Sequence, residues 1–88
     1  MHTVTFRGEA AEVRWGYHRA ATLDAWELQP RRDGATVTAN IVSTDTFRLS
    51  QPALTFVIPR PSGPWVWPVQ SLQQAGASLV LTLGPPEE

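Results

Sequence analysis

The chain of 88 residues contains no cysteine, no lysine and only two histidines, and no apolar run approaches the ~20 residues that cross a bilayer as a helix. Each absence excludes something. Without cysteine there is neither a disulfide framework nor a thiolate metal site, so packing alone must hold the fold. That fits a reducing compartment, and a cytoplasmic location is the expectation. The opening MHTVTFRGEA lacks the basic stretch and apolar run of a secretory signal, so the chain reads as soluble, with no membrane partner.

All seven basic residues are arginines, at 7, 14, 19, 31, 32, 48 and 60. Together with frequent alanine, proline and glycine, this points to a GC-rich bacterial or phage genome, with a mobile element as the expected source. Formal net charge is −1, and two of the eight acids, Glu87 and Glu88, close the chain. The remaining body is close to neutral and has no long-range field to concentrate nucleic acid, which disfavours that class of partner.

Catalytic and ligand-binding motifs are missing as well. There is no GxSxG elbow, GxGxxG or GxxxxGK[ST] in the chain, so no strained nucleophile or phosphate cradle is expected. The histidines, His2 and His18, are sixteen apart and have no ligand set around them. The acids Glu9, Glu12, Asp24, Glu27, Asp33 and Asp45 do not follow the spacing of a calcium loop. Tyr17-His18, with Asp24 as the possible partner of the imidazole, is the one spot for acid–base work. A lone histidine facing outward from a strand is the simpler account. No metal, no cofactor and no catalysis are expected.

What is present is alternation, the signature of half-buried strands. In TVTFR, Val4 and Phe6 face one way and Thr3, Thr5 and Arg7 the other. In AEVRWGYH, Ala11, Val13, Trp15 and Tyr17 oppose Glu12, Arg14, Gly16 and His18. Gly8 between them suits a turn or bulge. The clearest hairpin is AWELQPRRDGATVTANIV, over 25–42, with Trp26 and Leu28 across from Val37, Ala39 and Ile41, and with Thr36, Thr38 and Asn40 toward water. Asp33-Gly34 suits its tight turn, and Pro30 is expected to end the incoming strand.

After the polar 43–46, FRLSQPALTFVIP predicts a second hairpin, Phe47 and Leu49 turning through Ser50-Gln51-Pro52 into Leu54, Phe56 and Ile58. The last strand, ASLVLTLG, puts Leu79, Leu81 and Leu83 on one face. Apolar residues in 19–28 cover both sides of a helical wheel, so no amphipathic helix is indicated there. SLQQAG at 71–76 predicts one helical turn, capped by Ser71 and stopped by Gly76. Seven of the eight prolines lie at or after position 52, which predicts edge strands or short pieces in that half.

These elements define an all-β fold: a small single-domain barrel or sandwich of about six to eight short, mostly antiparallel strands, with at most one helical turn. The domain is expected over 1–84, followed by a flexible acidic tail at 85–88.

The stretch GPWVWPVQSL carries two tryptophans two positions apart, Trp65 and Trp67, between Pro64 and Pro68. In an extended chain both indoles share one face. They are either core at the barrel end, or, if Val66 points inward, an external aromatic patch of the kind that anchors interfaces. Trp65 and Trp67, with Arg31 and Arg32 at the hairpin tip, are the candidate binding residues. The expected function is a small non-catalytic binding module, an adaptor, inhibitor or assembly component, that meets a protein partner or its own copies through an aromatic face. The alternatives are a self-assembling structural subunit and a barrel that binds single-stranded nucleic acid. Trp15, Tyr17 and Arg14 hold the right residue types for the last, but their alternation sets aromatics and arginine on opposite faces, whereas a stacking platform needs them together.

Overall fold

A computed structural model describes residues 5–85 of the chain. Six strands, β1 (Phe6–Trp15), β2 (His18–Arg31), β3 (Gly34–Thr44), β4 (Leu54–Ile58), β5 (Trp65–Ala75) and β6 (Ser78–Leu83), surround one core. A single helical turn, α1 (Thr46–Leu49), joins β3 to β4. The strands close into an antiparallel barrel in the order β1-β2-β3-β6-β5-β4, with β4 returning to β1. The expected all-β barrel is therefore the fold, with six strands and one four-residue helix.

Closure follows from irregularities in the long strands. Register shifts interrupt β1 at Val13/Arg14, β2 at Thr22/Leu23 and Asp24/Glu27, and β5 at Val69/Ser71. Such bulges bend a strand and raise its twist, which is what a six-stranded sheet needs to curl onto itself. The interior is filled by the alternating apolar sets: Val13, Leu23, Leu28, Val37, Phe56, Leu79, Leu81 and Leu83 are all fully buried.

Local chemistry explains where the chain departs from the expected elements. Gly8 makes no turn, because β1 runs straight through it. The first turn falls at Gly16-Tyr17, between the paired Trp15 and His18, with Gly16 at a φ of 62°. Tyr17 is consequently fully exposed and not inward-facing. Residues 19–28 belong to β2.

The 25–42 hairpin forms with Leu28 opposite Val37, and Arg32-Asp33 make its turn between the paired Arg31 and Gly34. Pro30 lies inside β2, opposite Ala35, and does not end it.

The second expected hairpin is absent. Asp45 accepts a hydrogen bond from the Arg48 backbone N–H at 3.1 Å and winds 46–49 into α1, so Phe47 is left 67% exposed instead of joining the core. Residues 71–75 continue β5, and Gly76-Ala77 form the turn into β6. The predicted helical turn thus sits at 46–49 and not at 71–76. Nor does proline confine the second half to short pieces: Pro68 stands in the eleven-residue β5 opposite Thr55, and its carbonyl accepts from Gly84 N at 2.9 Å. Of the acidic tail, all but Pro85 lies outside the described residues, as do His2 and Val4.

Candidate functional site: an aromatic cleft where the wall opens

The barrel wall is not closed along its whole height. β1 pairs with β4 only over Glu12–Trp15, against Leu54–Val57. Toward the start of β1, β4 has already ended at Ile58, and the chain passes through PRPSGP, 59–64, before β5 begins. Three prolines in that stretch remove backbone donors and fix φ, which keeps it out of the sheet ladder. Phe6–Ala11 therefore pair with β2 on one side and with no described strand on the other.

A cleft of about 560 Å³ opens at this gap. Trp26 and Ile58 reach it from the core, Phe6 and Trp65 line it as a contacting pair, and Arg7, Pro59 and Arg60 complete the lining. Phe6 and Trp65 meet edge to face, centroids 5.4 Å apart, and Trp65 also lies 5.0 Å from Trp67. The Arg60 guanidinium sits 5.1 Å from the centre of the Trp65 ring, a cation–π contact, while its Nε donates to Gly63 O at 3.3 Å. Arg7 pairs with Glu27 at 3.2 Å on the outer surface.

Trp26 reaches the cleft through a local break in strand periodicity. Ala25 takes a φ of 49°, in the left-handed region that costs an alanine ~1–2 kcal/mol. Because of this bend, Leu23 and Trp26, three positions apart, both face the core. The Trp26 indole packs edge-on to Phe56 at 6.3 Å and donates to Ala10 O at 3.0 Å.

The two tryptophans of GPWVWPVQSL share a face, and that face is internal. Trp67 is 4% exposed and belongs to the core, so of the two alternatives the external pair is not how the indoles sit; Val66 is the residue turned away between them. The cause is register: Trp67 pairs with the fully buried Phe56, which fixes the inward parity of β5. Its Nε1 is buried without a partner among the described residues. Trp65, at the rim, is only half-buried. Arg31 and Arg32 are exposed at the β2–β3 tip, where Arg31 donates to Thr36 Oγ1 at 3.2 Å, and neither lines the cleft.

Phe6, Arg7, Trp26 and Arg60 were not foreseen as site residues. The one sequence signal for them was the proline spacing around Arg60, which places a strand break directly beside Trp65.

Several other charged groups are paired with one another. Glu12 holds both Arg14 and Arg19, at 2.7 Å for the latter. Arg48 lies 3.5 Å from Asp45 and donates to Arg19 O at 3.0 Å. His18 pairs with Trp15 at one end of β2, while Asp24 pairs with Ala10. Six strand positions, roughly 20 Å, separate the two, so they form no catalytic pair. Among the described residues no group of three or more His, Asp or Glu is placed to hold a metal ion, and no helix is long and apolar enough to cross a membrane.

The chain matches no family model, no curated protein and no solved structure. Fold and site together define a class, a small six-stranded antiparallel barrel with an aromatic, arginine-edged cleft at an opening in its wall.

Proposed function

We propose that the chain is a small non-catalytic binding module, an adaptor, inhibitor or assembly component of bacterial or phage origin acting in the cytoplasm, that holds a protein partner in the Phe6–Trp65 cleft. The observation carrying this reading is the edge-to-face pair of a half-buried Trp65 and a Phe6 that is 41% exposed, both lining an open cleft edged by arginine. Aromatic and arginine side chains are the residues that most often concentrate binding energy in an interface, because they bury large areas in well-packed, desolvated contacts.

The test is affinity capture from host lysate with two baits, wild type and Trp65→Ser. Trp65 is the residue to change, since Trp67 is core and its loss would disturb folding. A protein retained by the wild type and lost from a folded Trp65→Ser bait supports the reading. Equal retention by both baits removes the cleft from it.

Self-assembly is a second reading, supported by two free strand edges. Besides Phe6–Ala11 of β1, residues 69–75 of β5 pair with β6 but not with β4. A monomer at all concentrations, by sedimentation and light scattering, rules it out.

A further inference from the structure

The aromatic cleft and the free edge of β1 are adjacent, and their combination restricts the form that a partner can take. We propose that the partner segment is an extended peptide that adds as a strand to Phe6–Ala11 of β1 and carries a carboxylate beside an apolar side chain. The proposal rests on the reading of the cleft as a protein-binding face and specifies what enters it.

Three observations support this form of partner. Phe6–Ala11 has β2 on one side only, and no backbone hydrogen bond joins 59–64 to it, since Gly63 N in that loop turns back to Arg60 O. A strand edge of this kind offers N–H and C=O groups that an incoming chain can satisfy, apart from Ala10 O, which accepts from the Trp26 indole. An added strand presents side chains alternately to the two faces of the sheet. Every second side chain then falls on the cleft side, against the apolar surfaces of Phe6, Trp26 and Trp65.

Charge selects what accompanies the apolar group. Arg60 has no carboxylate partner among the described residues, whereas Arg7, Arg14, Arg19 and Arg48 each have one. An acid on the incoming strand would supply that partner beside Trp65.

The rival occupants fit less well. The free edge of β5 in a second copy reads VQSLQQA over 69–75, with no carboxylate to offer Arg60. A nucleic acid strand would meet a chain of net charge −1, without the basic excess that concentrates phosphate.

The experiment titrates the folded chain with end-blocked peptides of about eight residues, the length of an ordinary strand. One carries glutamate and valine at successive positions of one face, with threonine between them, and a second has lysine in place of glutamate. Two further ones carry N-methyl groups on the backbone amides of one edge or of the other. Tryptophan emission reads binding, and amide hydrogen exchange reads Phe6–Ala11.

The expected result is that the glutamate–valine peptide binds and slows exchange in 6–11. The lysine peptide and one of the two N-methylated peptides should bind about ten-fold more weakly or less, the loss of one charge-assisted contact or of the ladder. Arg60→Gln, with melting unchanged, should weaken the glutamate–valine peptide by a similar factor. No binding of that peptide at millimolar concentration overturns the proposal. Binding without a change in exchange at 6–11, or with both N-methylated peptides equal to the parent, overturns strand addition but leaves the cleft as a binding face. Growth of particle size without any peptide points to a second copy instead. Failure of the cleft itself would show separately, as equal partner capture by wild type and Trp65→Ser.

Discussion

The indole of Trp26 occupies the space that a side chain at Gly8 would need: a Cβ there would lie 2.5 Å from Trp26 Cζ2 and 2.6 Å from Cε2. The two residues face each other directly across β1 and β2. The glycine is what lets a tryptophan lie flat inside so narrow a barrel, with its N–H reaching Ala10 O. Gly8→Ala should therefore act as overpacking and cost about 1–3 kcal/mol, read as a lower denaturant midpoint at constant slope. An unchanged midpoint would show that the ring has room to move.

Gly34 meets backbone and not a side chain. Its φ is 153°, and a Cβ would fall within the radius of Leu83 O, where β3 starts against the end of β6. Backbone in a closed ladder cannot step aside, so Gly34→Ala should cost about 3 kcal/mol or more. Gly76 serves as the control. Its φ is 62° with nothing within 4 Å, and Gly76→Ala should cost only the conformational ~1–2 kcal/mol. Equal midpoints for the two variants would contradict the close approach of β3 and β6.

Trp67 buries its ring in the core and also an N–H that has no partner among the described residues. Leaving a buried donor unsatisfied costs ~1–3 kcal/mol, so Trp67→Phe, which removes the donor and keeps most of the ring, should be nearly neutral. Trp67→Ala should cost about 3–5 kcal/mol through the cavity it leaves. If phenylalanine proves as damaging as alanine, the indole N–H is satisfied after all.

Phe47 and Trp26 test the assignment of the core. Trp26→Ala should cost about 3–5 kcal/mol, because the ring is buried against Phe56. Phe47 touches Trp15 edge-on at 5.9 Å but is 67% exposed. Phe47→Ser should change stability by less than about 1 kcal/mol. Comparable losses in thermal melts of the two variants would mean that α1 packs inward.

Much of the barrel was legible because inward and outward alternation is a local property of an extended chain. Val37 and Ala39, Leu54, Phe56 and Ile58, and the leucines at 79, 81 and 83 are all buried, as their spacing predicts. The 25–42 hairpin was legible because its partners are close in sequence, although its turn falls at Arg32-Asp33, one residue before the expected Asp33-Gly34. The 47–58 hairpin failed because alternation in FRLS is also compatible with one helical turn, and the capping carboxylate of Asp45 decided between them.

The candidate site was legible in part. Two prolines around a pair of tryptophans pointed to a stretch that lines the cleft through Trp65, and the common face of Trp65 and Trp67 followed from their spacing. Which side of the wall that face lies on depends on the pairing of Trp67 with Phe56, a contact that no local pattern encodes. Phe6 and Arg60 reach the same cleft from positions 54 apart in the chain.

Sequence by itself thus determined the strand class, most of the inward-facing residues and the best-defined hairpin, because backbone geometry and turn chemistry act over a few residues. Only the tertiary structure decided that β4 closes against β1 over Glu12–Trp15 and leaves Phe6–Ala11 open, because closure depends on the bends accumulated at bulges in several strands. The opening, and with it the exposure of Trp65 and the burial of Trp67, is a property of the whole barrel.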